Sequence, residues 1–144
     1  MLRRHIASLV LCLSVFPGVV LAQPAEKAAS PLFLELNALQ DVGAACRLTF
    51  LVRNETGQLI DQSIFETVIF DTSGGVVSLS LFDFRELPEN RPRVRQFELP
   101  NMACSTVGQV LINGANSCLV DGVESKICDK ALSLSSRQTV ELLG

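Results

Sequence analysis

The segment SIFETVIFDTSGGVVSLSLFDF, residues 63–84, shows how this chain is built. From Ser63 to Asp71 the residues alternate in a period of two, the mark of a half-buried strand. Ile64, Val68 and Phe70 fall on one face together with Glu66, and Phe65, Thr67 and Ile69 fall on the other. Thr72-Ser73-Gly74-Gly75 then turns the chain, because paired glycines allow positive φ. Val76 to Phe84 returns as the second arm of a hairpin.

The same period extends outward from this hairpin. Leu32, Leu34 and Leu36 alternate with Phe33, Glu35 and Asn37. Cys46, Leu48, Phe50 and Val52 alternate with Arg47, Thr49, Leu51 and Arg53, and Asn54-Glu55-Thr56-Gly57 turns the chain. After the loop Leu87–Pro92, Arg93–Leu99 forms a fifth strand closed by Pro100, and Thr106–Asn113 a sixth. Asn113–Lys130 reads as a long polar loop, and Leu132, Leu134, Val140 and Leu142 as a final, broken strand. About seven short strands without helical periodicity predict an all-β fold, an immunoglobulin-like antiparallel β-sandwich, with a closed barrel as the alternative.

The chain has 144 residues and a net charge of −3. Its start reads as a signal peptide over residues 1–22. Met1–His5 is a basic head, Ile6–Phe16 is apolar, Pro17-Gly18 breaks the run, and Val20-Leu21-Ala22 precedes a cut between Ala22 and Gln23. An uncleaved anchor is the competing reading, at the short limit for spanning hydrocarbon. Arg3-Arg4 raises twin-arginine export, but its context favours the ordinary secretory route. Residues 23–31 read as a flexible leader, and residues 32–144 as the domain.

Cleavage would remove Arg3, Arg4, His5 and Cys12, leaving a net charge of −5, no histidine and four cysteines. An acidic balance argues against nucleic acid, which needs positive charge to displace phosphate counterions. No stable membrane anchor is expected after the cut. Without histidine there is no Ser-His-Asp or Cys-His catalysis and no imidazole ligand. A Ser-Lys mechanism is discounted, because Lys27, Lys126 and Lys130 fall in leader or loop. Asp61, Asp71, Asp121 and Asp129 stand at turns, where carboxylates cap backbone amides. No catalytic residue, metal site or cofactor is expected.

An even set of cysteines, Cys46, Cys104, Cys118 and Cys128, points to disulfides and an oxidising compartment. Three pairings are possible. The strand Thr106–Asn113 holds Cys104 and Cys118 apart, by roughly 25 Å at about 3.3 Å per residue. Cys118 and Cys128 share one loop, which leaves Cys46 with Cys104. The spacings do not resemble zinc knuckles, and no Cys-x-x-Cys pair supports thiol redox chemistry.

Arg91-Pro92-Arg93-Val94-Arg95 is the best polar cluster. Arg91, Arg93 and Arg95 could bind an acidic partner through bidentate guanidinium contacts. The plainer reading is a solvated strand face, salt-bridged to Asp83, Glu86 or Glu98, whose charges discourage sheet-to-sheet aggregation. Asn54-Glu55-Thr56 is also a glycosylation sequon. With no Trp or Tyr, the phenylalanines read as core, Phe33, Phe82 and Phe84 being the ones whose exposure would argue otherwise.

Leu51-Val52-Arg53-Asn54-Glu55-Thr56-Gly57, Val68-Ile69-Phe70-Asp71, Gly74-Gly75, Leu87-Pro88 and Arg95-Gln96-Phe97-Glu98-Leu99 together resemble exported bacterial immunoglobulin-like domains of the FxLyD type. The chain is also similar to small secreted alphaproteobacterial proteins labelled by a twin-arginine signal. The match covers residues 46–113. It implies a sandwich fold and a periplasmic setting, with no active site to carry over. The expected role is a non-catalytic, periplasmic or secreted binding or structural module. It would contact another envelope protein through an exposed strand edge or through Arg91–Arg95. The alternative is a small-ligand or metal-binding envelope protein using residues 113–130.

Overall fold

The structure, a computed structural model, describes residues 31–144. The expected signal peptide, its cut between Ala22 and Gln23 and all but the last residue of the expected leader lie outside the described residues. Nine strands run in order: β1 (Leu32–Val42), β2 (Ala45–Asn54), β3 (Gln62–Asp71), β4 (Val76–Asp83), β5 (Arg93–Leu99), β6 (Val107–Val120), β7 (Val123–Glu124), β8 (Leu132–Ser136) and β9 (Glu141–Leu143). A short 3₁₀ turn (Cys104–Thr106) precedes β6, and one helical turn, α1 (Ile127–Lys130), precedes β8.

These strands form two packed sheets, so the expected all-β sandwich is found. The first has the order β5-β2-β1-β8; the second has β4-β3-β6-β7, with β9 also paired to β6. The faces predicted for β1 and β2 hold: Leu32, Leu34, Leu36, Cys46, Leu48, Phe50 and Val52 are all buried. From the second sheet, Phe65, Ile69, Val110 and Ile112 close on them. Alternating inward residues from two facing sheets make the core of a sandwich.

Three parts differ from the sequence reading. Residues 113–120 are not loop: β6 runs on to Val120 and pairs with β3 as far as Gln62↔Leu119, through three register shifts. The final broken strand is two strands in different sheets. β8 pairs in parallel with β1, and β9 pairs in parallel with β6. Ser136 organises the crossing, its hydroxyl donating to Val140 O at 2.6 Å while Arg137 N donates to Leu36 O at 3.0 Å. In the hairpin turn only Gly74 takes a positive φ, of 88°. Asp71 does the rest, its Oδ1 accepting from Ser73 N and Gly75 N, each at 2.9 Å, and from Ser73 Oγ at 2.6 Å.

The cysteines pair as Cys46–Cys104 and Cys118–Cys128. The first ties the 3₁₀ turn to the start of β2; the second ties α1 to β6. Closing a 58-residue loop is worth roughly 4 kcal/mol in the chain-entropy description.

Candidate interaction surface

The aromatic side chains settle which way β4 faces. Phe82 and Phe84 are buried, and Phe50 meets both edge-on at centroid distances of 6.2 and 5.4 Å. Phe97 of β5 stacks on Phe82 at 4.1 Å. Since side chains alternate along a strand, Phe82 inward forces Leu81, Leu79 and Val77 outward. They are 53%, 60% and 46% exposed, and Val76 beside them is 61% exposed. The inward positions below Phe82 hold only Ser80 and Ser78, whose hydroxyls lie 3.3 Å apart.

This apolar face continues across the second sheet. Leu79 lies opposite Val68, Val68 opposite Leu111, and Leu111 opposite Leu143, so one row of aliphatic side chains crosses four strands. Phe70, half-buried, pairs with Val76 beside the row. Polar pairs bound the row on both sides: Asn113 Nδ2 donates to Glu66, and Gln109 Nε2 donates to Glu141 Oε2 at 3.1 Å. The row is open at its two ends, Leu79 and Leu143, while Val68 within it is buried; an exposed apolar patch with a polar rim is the usual surface signature of a protein partner.

β4 is also an edge strand, with β3 on one side and no strand among the described residues on the other. It carries no charge and no proline from Val76 to Phe82. Phe84 N–H donates to Ser63 O at 2.8 Å. Ladder alternation then turns the amides of Phe82, Ser80 and Ser78 towards β3 and those of Leu81 and Leu79 to the open edge, up to the bulge at Val77.

The predicted arginine cluster lies on the neighbouring edge strand, β5. Arg93 and Arg95 share the face of Phe97 and Leu99, half-buried, while Arg91 is exposed in the loop before it. The expected salt bridges to Asp83, Glu86 or Glu98 do not form with these arginines. Arg95 donates instead to Phe84 O at 2.6 Å and Glu86 O at 3.1 Å, and Glu98 pairs with Arg47 at 2.7 Å. Burial, with Arg85 and Arg93 nearby, lowers the pKa of Arg95 from its ordinary value. A cleft of about 520 Å³ opens between the two edges, lined by Leu81, Asp83, Arg85, Val94, Arg95 and Phe97.

The other candidate residues are engaged internally. The 113–130 segment is strand, hairpin and helical turn, with both of its cysteines in a disulfide. Asp61 Oδ2 accepts from Gly122 N at 2.9 Å and Asp129 Oδ1 from Ala115 N at 2.7 Å, as expected of turn carboxylates. Asn54 of the sequon is 1% exposed. Its Nδ2 donates to Gln58 O at 2.8 Å and Leu87 O at 2.7 Å, which makes it a structural side chain closed to modification in the folded chain. Phe33, expected in the core, instead lies half-buried on the outer face of the first sheet, under the Arg53 guanidinium at 4.8 Å, because it alternates with the buried leucines of β1.

No protein-family model matches this chain, and neither a curated protein nor a solved structure is similar enough to it to count as a match.

Proposed function

We propose that this protein is a non-catalytic binding or structural module of the periplasm or the extracellular space, which engages another envelope protein by strand addition along β4. One observation carries the reading: β4 is an edge strand without charge from Val76 to Phe82, whose outward side chains are Val77, Leu79 and Leu81. Natural edge strands are shortened, charged, bulged or covered, because an open ladder recruits further strands. An edge left open and apolar fits a surface kept for a partner, with main-chain hydrogen bonds supplying affinity and alternate side chains supplying specificity. The two disulfides support an oxidising compartment. No helix among the described residues is long and apolar enough to cross a membrane.

The test is site-specific photocrosslinking in the native host. A photoreactive residue at Leu79 is expected to give covalent protein adducts, whereas one at Val94, equally exposed on β5, gives none. Equal adducts at both positions, or none at Leu79, would remove β4 as the docking edge.

A further inference from the structure

We infer that the occupant of the β4 edge is a second copy of this chain, paired antiparallel about a two-fold axis through Leu79. The inference rests on the reading of β4 as a docking edge and takes the envelope protein engaged there to be a second copy of this chain.

Symmetry, charge and hydrogen bonding select this arrangement together. A two-fold interface brings one surface patch against itself, so the patch must be self-complementary. With Leu79 opposite its symmetry mate, Val77 meets Leu81 of the second copy and Ser78 meets its Ser80. Aliphatic then faces aliphatic on the outer side, and serine faces serine on the inner side. A slip of one residue would set Leu79 against Ser80 and turn the core face of one copy towards the solvent face of the other.

The backbone phase agrees. Leu79 and Leu81 direct their N–H and C=O groups to the open edge, as deduced from the Phe84–Ser63 hydrogen bond. Leu79 would exchange both bonds with its mate, and Leu81 would present its own to the backbone at Val77, the extra residue of the β4 bulge. Like charges are kept apart. Asp83, the one charge of the strand, falls opposite the neutral Gly75. Arg95, which reaches Phe84 O and Glu86 O, lies beyond the Asp83 end. The antiparallel operator therefore carries the two arginine clusters to opposite ends of the dimer.

Pairing also extends what each copy already has. The row Leu143–Leu111–Val68–Leu79 would continue through its mirror sequence in the second copy, giving one sheet with an unbroken aliphatic band. The regular part of the new ladder is short and centred on Ser78–Ser80, because Val77 is the extra residue of a bulge in the β3–β4 ladder. The interface is therefore at the small end of the size range, and the dimer is concentration-dependent.

The test uses the full chain exported and oxidised in a periplasm. Sedimentation equilibrium from about 10 µM to about 1 mM brackets a contact of this size. A monomer–dimer equilibrium is expected. Leu79→Lys, which sets two ammonium groups face to face, should weaken association at least about tenfold without altering the circular dichroism spectrum. Register is read by mild oxidation of single cysteines. Opposed Cα atoms about 5.5 Å apart lie within disulfide reach. Leu79→Cys should give covalent dimer, and Val77→Cys mixed with Leu81→Cys should give the heterodimer. Either of the last two alone, and Val94→Cys, should stay monomeric. A monomer at every concentration, or cross-linking that ignores position, overturns self-pairing. Foreign adducts at Leu79 in the host would then leave the docking edge standing without it, whereas the absence of both would remove the two readings together.

Discussion

β4 and β5 lie at the same side of the sandwich, one at the edge of each sheet, and meet through the stacked rings of Phe82 and Phe97. β5 carries Arg93, Arg95 and Glu98 within seven residues and is followed by Pro100. Its arginines also occupy main-chain acceptors: Arg93 Nη1 donates to Pro92 O at 3.3 Å and Arg95 Nη1 to Val94 O at 3.1 Å. Cys46 pairs with Leu99 at the end of the strand, so the Cys46–Cys104 bridge anchors it. β4 has none of these devices, and only a bulge at Val77 interrupts it. The remaining edges, β7, β8 and β9, are two, five and three residues long. Among the described residues the other edges are thus protected by charge or brevity, and one long edge is left largely bare. That contrast supports the proposed reading of β4 as a docking edge.

Several perturbations would break this contrast. The largest effect is expected from Cys46→Ala with Cys104→Ala, which frees the anchored end of β5. Loss of the bridge should cost about 4 kcal/mol, read as a lower denaturant midpoint. Phe97→Ala removes the ring that joins the two edges, and a cost of about 3 kcal/mol is expected by the same measurement. Arg95→Met keeps the aliphatic stem but loses the hydrogen bonds to Phe84 O and Glu86 O. A loss of about 1–2 kcal/mol is expected, and a native-sized loss of zero would mean that these bonds contribute nothing. Leu79→Lys, in the bare edge, should change stability by no more than about 0.5 kcal/mol while weakening association at least about tenfold. A large destabilisation there would show that the edge is structural.

Acid should loosen the turn at the start of β4 gently. Hydrogen bonds from Ser73 and then Gly75 lower the pKa of Asp71 below the ordinary carboxylate value. A group depressed in the folded state stabilises fully above its unfolded pKa, near 3.9, and loses that contribution as pH falls through the folded pKa. Amide exchange in the Asp71–Gly75 turn should therefore rise below about pH 4, and Asp71→Asn should flatten that rise. Glu35, lowered mainly by the Asn37 amide, titrates in the same direction on the opposite sheet.

Much of the sandwich was legible in sequence because its strands carry one strong alternation each. In β1 the leucines, and in β2 Cys46, Leu48, Phe50 and Val52, leave one choice of buried face. Strand length excluded one of the three disulfide pairings, and the loop shared by Cys118 and Cys128 favoured the one found. The proposed docking surface was not legible in the same way. In β4 two apolar sets compete on opposite parities, Val77-Leu79-Leu81 against Phe82 and Phe84. Periodicity alone cannot choose between them. Residues 113–120 failed for a related reason: Asn113, Gly114, Asn116 and Ser117 read as loop, yet β6 is carried through them by pairing with β3. Gly108 shows the same dependence on context, since a Cβ there would collide with the carbonyl of Asp71 across a bulge.

The sequence by itself determined the all-β class, the hairpin at Gly74 and the faces of β1 and β2, because period, turn chemistry and cysteine spacing are local quantities. Only the tertiary structure decided which side of β4 meets solvent. The cluster of Phe50, Phe65, Phe84 and Phe97 offers Phe82 and Phe84 an aromatic site, with Phe65 and Phe84 at 5.6 Å and Phe84 and Phe97 at 5.0 Å. Burying two rings there outweighs burying Leu79 and Leu81 over a strand end that the facing sheet barely covers. The leucines are left outside, and the surface proposed to bind is the consequence.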